Sequence, residues 1–176
     1  MKAKKYEVLE ALLVTLFFLI IIVPIFMIWI PRTIILSPCQ IYEFGIGKIR
    51  FLGLFPIFSG VVIYVFCSGS FVFIGKSSPI LFTKTKKLIV KGFYRYVRNP
   101  LYIAGVLVLA GEAVLFQSIG IFIYCLAMFG IFYIHVLMEE TFLANEFGAE
   151  YDQYRNSVPR WIPRLTPYHD KDSESS

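Results

Sequence analysis

The chain has 176 residues, of which 57% are hydrophobic, 18% aromatic and only 16% charged, and its mean hydropathy is +0.70. A soluble domain carries about 45–50% apolar and about 25% charged residues, and a fold of this size leaves much of its surface exposed. The composition excludes an ordinary soluble domain, a disordered chain and a disulfide scaffold, and it predicts a single membrane domain over residues 1–176.

The net charge is +5, and the basic residues lie between the apolar runs and near both ends of the sequence. No nucleic-acid-binding motif accompanies them. Of the 17 Lys and Arg residues, three lie between the first two apolar runs. The other fourteen lie in the amino-terminal segment, in residues 75–100 and after residue 138. Basic residues gather on the cytosolic side of membrane proteins. We therefore expect a multi-pass protein with both termini cytosolic and no nucleic-acid partner.

Four apolar runs predict an all-α, polytopic membrane fold with four transmembrane helices. They cover residues 11–30, 51–74, 101–116 and 118–138. The last two runs meet at Gln117-Ser118, and the sixteen residues of the third span only about 24 Å. This spacing predicts a tight carboxy-terminal helical hairpin that begins and ends on one side of the membrane, followed by a cytosolic tail.

The tail after residue 138 is polar and contains several prolines. Its segment up to Pro167 contains Arg160, Trp161 and Arg164, and it either folds back as a lid or lies on the lipid headgroups. The sequence leaves both possibilities open. Residues 170–176 are rich in Ser, Asp and Glu and are predicted to be disordered.

Arg98, Asn99 and Pro100 mark the start of the third predicted helix. Proline is well suited to the first helical position, and asparagine is a common cap before it. The free N–H groups and positive dipole end of a helix start attract anions, and the Arg98 guanidinium suits a carboxylate or phosphate. The alternative is that Arg95 and Arg98 only anchor the helix at the headgroups.

Glu139 and Glu140 come directly after the fourth predicted run. Acidic residues at the carboxyl end of a helix oppose its dipole, where cations would be more favourable, so a functional role and a solvated helix end both stay open. Because the hairpin returns to the side of the membrane on which it began, we expect Glu139 and Glu140 to lie close to Arg98 and Asn99 at the cytosolic end of the hairpin. No CxxC or HExxH pattern is present, and we expect no metal site.

The order and spacing of these motifs resemble the isoprenylcysteine carboxyl methyltransferase family, which is related to the phospholipid methyltransferases. The resemblance covers residues 88–167. Its motifs are Arg98-Asn99-Pro100-Leu101-Tyr102, Glu139-Glu140, Phe147-Gly148-x-x-Tyr151-x-x-Tyr154 and Val158-Pro159.

This resemblance implies an S-adenosylmethionine-dependent methyltransferase whose prenylated or other lipidic substrate enters from the bilayer. Carboxyl O-methylation of an isoprenylcysteine-like substrate is the leading expectation. The resemblance implies catalytic roles for Glu140, which could serve as a base, and for Arg164. Either Arg155 or Arg164 would close the site together with Tyr151 and Tyr154. The cofactor-binding residues that it implies are Arg98, Asn99, Pro100, Tyr102, Glu139, Glu140, Tyr151 and Tyr154.

Two positions depart from the eukaryotic members of that family, which usually have His in place of Asn99 and Gly in place of Ala104. Asparagine cannot titrate, so Asn99 cannot be a general base. A carboxylate acceptor is already ionised and needs only orientation, whereas an amine must first lose a proton. Three alternatives stay open: a phospholipid N-methyltransferase, a nicotinamide-dependent membrane reductase and a non-enzymatic membrane scaffold.

Overall fold

The computed structural model describes residues 13, 21, 23–36, 45–70, 88 and 90–168, and its secondary structure there is helical. The α-helices in these ranges are α1 (Ile30–Leu36), α2 (Leu54–Ser70), α3 (Pro100–Leu115), α4 (Ile119–Phe147) and α5 (Ala149–Ser157). A π-helical turn precedes α1, and 3₁₀ turns lie before α2 and α3; their bounds are Ile25–Trp29, Gly47–Gly53 and Gly92–Arg95. The predicted all-α class is confirmed over the described residues.

Two helical stretches are long and apolar enough to cross a membrane, Gly47–Ser70 and Ile119–Phe147. Two further apolar helices, Ile25–Ile34 and Pro100–Leu115, are shorter. Many large apolar side chains of these helices point outward, which is typical of a surface that contacts lipid. The number of spans and their orientation stay predictions.

Small residues allow α2 and α3 to pack with their backbones in close contact. A Cβ atom on Gly111 would lie 2.5 Å from the carbonyl oxygen of Gly53. A Cβ atom on Gly60 would lie 2.6 Å from the carbonyl oxygen of Ala104. Close approach through small residues is the usual way in which helices associate in membranes, where apolar side chains gain little by leaving lipid.

A three-residue connection joins α3 to α4, and polar side chains fix it. The side-chain oxygen of Gln117 accepts a hydrogen bond from the backbone N–H of Ile46 at 2.7 Å. The hydroxyl of Ser118 caps α4 by accepting from the N–H of Ile121 at 3.3 Å. Beyond the turn, α3 and α4 pack through a buried cluster of Leu109, Cys125 and Met128.

The fourth helix does not end at residue 138, as the apolar run suggested, because α4 continues to Phe147. Glu139 and Glu140 therefore lie inside a helix and not directly after it, and the argument from an unfavourable helix dipole does not apply to them. The helix continues because Leu143, Ala144 and Phe147 pack against the buried aromatic residues of α5. Apolar residues at this spacing share one helical face.

Helical structure also extends beyond the first two predicted runs. The first run ends at residue 30, but α1 continues to Leu36. Pro31 does not end this helix; it lies within a continuous helical stretch, residues 23–36, just after the π-helical turn Ile25–Trp29. Helical structure at the second run begins before residue 51, with the 3₁₀ turn at Gly47. Most of residues 11–22, residues 71–74 and the tail 170–176 lie outside the described residues.

Residues 158–168, which we term the closing segment, fold back over the polar end of the helices. The segment runs beside residues 95–98 and is held there by backbone hydrogen bonds. These are Arg98 N–H to Pro159 O at 2.9 Å, Arg164 N–H to Tyr96 O at 3.0 Å and Tyr168 N–H to Arg95 O at 2.9 Å. Of the two possibilities that the sequence left open, the folded-back arrangement is the one observed.

Candidate active site

The most polar buried cluster of the described residues lies where the start of α3, the second half of α4, α5 and the closing segment meet. At its centre is Glu140, whose side chain is 9% exposed. Arg160 donates two hydrogen bonds to this carboxylate, from Nε to Oε1 at 2.9 Å and from Nη2 to Oε2 at 2.7 Å. Arg98 Nη1 lies 3.2 Å from Oε1. A buried carboxylate of this kind is tolerated because both its oxygens are paired with cations.

The pairing also affects the guanidinium of Arg160. Its hydrogen bonds to Glu140 raise the pKa of Arg160 above its ordinary value, although burial acts weakly in the opposite direction. Arg160 therefore keeps its charge throughout the pH range in which the protein would work.

Arg98 is positioned by its backbone as well as by its side chain. Its backbone N–H donates to the closing segment, and its Nη1 also donates to the hydroxyl of Tyr151 at 3.5 Å. Within the described ranges, however, the buried Nε of Arg98 has no hydrogen-bond partner. Buried donors are nearly always paired in native proteins. Arg98 therefore retains one donor that an added acceptor could satisfy.

Asn99 and Pro100 take the predicted cap and first positions of α3, but the Asn99 side chain does not cap the helix. Its Nδ2 donates instead to the carbonyl oxygen of Arg160 at 3.3 Å. The side-chain amide thus connects the start of α3 to the closing segment, 61 residues later in the chain. This use of the amide could not be read from the local sequence, because its partner is remote.

Glu139, the second acid of the pair, is held by Tyr102 of α3. The Tyr102 hydroxyl donates to Oε2 of Glu139 at 2.9 Å. The phenol ring packs against Phe132 of α4, with ring centroids 5.4 Å apart. The two neighbouring acids therefore have different partners: Glu140 contacts two cations, whereas Glu139 accepts a hydrogen bond from a neutral phenol.

Tyr151 and Tyr154 of α5 are both buried against the site. The hydroxyl of Tyr154 donates to the backbone carbonyl oxygen of Tyr94 at 2.7 Å. Burial raises the pKa of both phenols, and for each of them the cation of Arg98 opposes the rise. Both therefore remain neutral near pH 7. The Tyr154 ring packs on that of Tyr168 in the closing segment, with centroids 6.0 Å apart, and this contact helps to hold α5 against that segment.

Arg164 is placed apart from this cluster. Its Nη1 donates to the carbonyl oxygen of Ser157 at 2.8 Å, and its Nη2 donates to the hydroxyl of Thr166 at 3.2 Å. A cation at the last residue of α5 is favourable because of the helix dipole. In this arrangement Arg164 stabilises the turn from α5 into the closing segment, while Arg160 occupies the position beside Glu140.

The sequence alone assigns no role to Arg160, because it leaves open whether the segment that contains Arg160 folds back over the helices or lies on the headgroups. Charge balance nevertheless indicates a second cation, because two neighbouring acids, Glu139 and Glu140, need buried positive charge and Arg98 supplies only one. Arg160 follows Val158-Pro159, where a proline ends α5 and directs the chain back across the site. The partner of an ion pair can be expected from charge balance, but its identity required the fold.

We expect Arg160→Lys to loosen the closing segment, because an ammonium group cannot make the two parallel hydrogen bonds of a guanidinium. The pair is partly exposed, so the expected loss is about 1–2 kcal/mol of unfolding free energy. Thermal unfolding in detergent and limited proteolysis of residues 158–168 measure it. Arg155→Lys is the matched control, because Arg155 pairs with Asp152 at the surface and 45% of its side chain is exposed. Equal effects of the two substitutions would contradict the role given to Arg160.

The fold and the site together define a class of protein. It is a helical chain whose outward surface is apolar, as in proteins that contact lipid, and whose buried acid, Glu140, pairs with two arginines at the polar end of the helices. The chain belongs to the phospholipid methyltransferase family, whose sequence model matches residues 49–150, more than half of the chain. The resemblance expected from the motifs is therefore confirmed, and the chain falls among methyltransferases. The matched residues include Arg98, Glu139 and Glu140 but end before Arg160.

The curated relatives include an enzyme and two resistance proteins. The protein-S-isoprenylcysteine O-methyltransferase of Schizosaccharomyces pombe is 32% identical over 103 residues, which are 56% of this chain and 44% of that protein. The cobalt-zinc-cadmium resistance protein CzcN of Cupriavidus metallidurans is 30% identical over 86 residues, 48% of this chain and 39% of that protein. The nickel-cobalt-cadmium resistance protein NccN of Alcaligenes xylosoxydans xylosoxydans is 28% identical over 83 residues. The matches span less than half the length of these relatives.

Proposed function

We propose that the chain is an integral membrane methyltransferase that uses S-adenosylmethionine to methylate the carboxylate of an isoprenylcysteine-like lipid at the cytosolic face of a membrane. The observation that carries the proposal is the buried cluster of Arg98, Glu140 and Arg160 in a chain of the phospholipid methyltransferase family. Its similarity to an isoprenylcysteine O-methyltransferase supports the choice of acceptor.

The residues present fit this cofactor. S-adenosylmethionine carries a carboxylate, an ammonium group, ribose hydroxyls and a sulfonium. Arg98 has a buried donor, Nε, that no described group satisfies, and this suits an added carboxylate. Glu139 accepts a hydrogen bond from the neutral phenol of Tyr102 and contacts no cation among the described residues, so its carboxylate suits ribose hydroxyls or the ammonium group. The neighbouring aromatic ring of Tyr151 suits a sulfonium through cation–π attraction.

The chain's own residues would act by positioning and by excluding water. When bound, S-adenosylmethionine supplies a methyl group on a sulfonium, which a carboxylate oxygen takes in line as the carbon–sulfur electrons return to sulfur. No proton needs to be removed from a carboxylate, which agrees with the untitratable Asn99 at the start of α3. Arg160 and Asn99 hold the closing segment over the site, and this shields the reacting groups from water.

A phospholipid amine is the second candidate acceptor, because the family is named for phospholipid methylation. An amine must lose a proton before it attacks, and this requires a base. Glu140 is the acid that the sequence suggested for this role, but its two oxygens are engaged by arginines. The ion pairing therefore favours the carboxylate acceptor.

The test of the acceptor is transfer of a radiolabelled methyl group from S-adenosylmethionine by the purified protein. N-acetyl-S-farnesylcysteine and phosphatidylethanolamine are offered in parallel in mixed micelles. We expect labelling of the farnesylcysteine only. Labelling of phosphatidylethanolamine alone would establish the second candidate, and labelling of neither would contradict both.

We expect Arg98→Ala to weaken S-adenosylmethionine binding at least tenfold, a loss of about 1.4 kcal/mol or more, because it removes the buried guanidinium assigned to the cofactor carboxylate. Calorimetry on the detergent-purified protein measures this affinity. Arg155→Ala removes a surface arginine of α5 and should leave the affinity unchanged. Wild-type affinity in Arg98→Ala would remove Arg98 from the site.

A further inference from the structure

The closing segment connects the polar site to an aromatic cluster on α4. Within it, Arg160 reaches Glu140, and the next residue, Trp161, packs on Phe129 and Tyr133. The ring centroids of Trp161 and Phe129 are 5.3 Å apart at 56°, and those of Trp161 and Tyr133 are 6.3 Å apart at 19°, a stacked pair. Two consecutive residues thus join a charged site to an apolar one.

The aromatic cluster lies on the same side of α4 as Glu140. Phe129, Tyr133 and Glu140 are separated by four and seven residues, a spacing that keeps side chains on one helical face. At 1.5 Å per residue, Tyr133 lies about 10 Å and Phe129 about 16 Å along the helix axis from Glu140. Both lie toward the middle of the predicted span. The cluster therefore extends from the polar site into the apolar part of the molecule.

Two properties of the cluster are those of a site for a ligand. In the part of the chain that the structure describes, the Trp161 indole N–H is buried and has no hydrogen-bond partner. Buried indole N–H groups usually find an acceptor. The rings beside it are open: Phe129 is 38% exposed and Tyr133 41% exposed, on an outward surface shared with Ile134. A chain arriving from lipid would meet these rings before it met Glu140.

We propose that Phe129, Tyr133 and Trp161 form the subsite for the acceptor, with the rings contacting the isoprenoid chain and the unpaired indole N–H donating to an oxygen of its polar head. The inference rests on the proposed function and names the part of the site that selects the lipid. Trp161 is then a specificity residue of the closing segment, and Arg160 beside it sets its position. The described residues offer no acceptor for the indole because, in this proposal, the acceptor comes with the substrate.

Steady-state kinetics separate this role from a structural one. N-acetyl-S-farnesylcysteine and its shorter geranyl analogue are the probes. We expect Trp161→Ala to raise the KM for the farnesyl probe at least about tenfold, to leave the KM for S-adenosylmethionine within about twofold, and to reduce the preference for the longer chain. Trp161→Phe keeps the ring and loses the N–H, and it should raise the KM for both probes equally without changing that preference.

The matched control is Trp29→Ala, which removes an outward-facing tryptophan (61% exposed) that lies outside the closing segment. If Trp161 served only as a headgroup anchor, both alanine variants would lower apparent activity alike, and that result would overturn the proposal. An unchanged KM for the farnesyl probe in Trp161→Ala would overturn it as well. If Trp161→Ala does not fold, Tyr133→Ala tests the same subsite, because it removes a ring of the subsite that lies on α4.

Photolabelling tests the lipid subsite separately from the proposed methyltransferase function. A farnesylcysteine bearing a photoreactive group on its isoprenoid chain is irradiated with the wild-type protein in micelles, and the labelled peptides are mapped. Labelling of peptides containing Trp161 or Tyr133, competed by the unmodified probe, supports the subsite without any turnover. Labelling elsewhere contradicts it. Absence of S-adenosylmethionine binding in the same preparation would count against the proposed function alone.

Discussion

Glu140→Gln is expected to have the largest effect of any single substitution in this chain. The amide keeps the size of the side chain but removes the negative charge between Arg98 and Arg160, whose guanidinium groups then repel each other in a buried site. Removing one partner of a buried ion pair costs about 3–5 kcal/mol. The same change disturbs Arg98 and should weaken S-adenosylmethionine binding at least tenfold.

Unfolding in detergent and calorimetric titration measure the two effects of Glu140→Gln. Glu146→Gln is the matched control, because Glu146 lies on the same helix with an exposed side chain. Glu140→Asp keeps the charge on a shorter side chain and should recover part of both losses. If Glu140→Gln were as stable as Glu146→Gln and bound the cofactor equally well, the ion-paired site would have no energetic role.

Gly111→Ala is expected to disrupt the contact of α2 with α3. The added methyl group would lie 2.5 Å from the carbonyl oxygen of Gly53 and 2.6 Å from Cγ1 of Ile57. The first of these is a backbone atom that can move only with its helix. Overpacking of this kind costs about 1–3 kcal/mol, occasionally more. The expected result is a lower midpoint of thermal unfolding in detergent.

Gly130→Ala is the control for the effect of glycine itself. Gly130 lies within α4, and a Cβ atom there would meet nothing within 4 Å in the described part of the chain. Alanine is a better helix former than glycine by about 1 kcal/mol, so this variant should be neutral or slightly more stable. Equal destabilisation by the two substitutions would show that helix propensity, and not close packing, governs these positions.

The start of α3 illustrates what local sequence can predict. Pro100 begins the helix, as its steric preference favours, and Asn99 takes the predicted cap position, although its side chain does not cap the helix. The meeting of Arg98 with the acid pair followed from topology, because consecutive helices with a short connection return to the same end. The observed ion pair between Arg98 and Glu140 agrees with that expectation.

The second half of the site could not be predicted in the same way. Hydropathy ended the fourth helix at the first charges, whereas α4 continues because Leu143 and Phe147 pack on α5. The role of Arg160 depends on where the chain goes after Pro159, and Asn99 finds its partner 61 residues away. Such contacts depend on the packing of remote segments, which no local pattern encodes.

Calorimetric titration of the detergent-purified protein with S-adenosylmethionine tests the central claim most directly. A reduced nicotinamide dinucleotide serves as the control ligand for the reductase alternative. The account predicts saturable one-site binding of S-adenosylmethionine, at least about tenfold weaker in Glu140→Gln, and no binding of the nicotinamide dinucleotide. Absence of S-adenosylmethionine binding by the folded protein, or preferential binding of the nicotinamide dinucleotide, would contradict it.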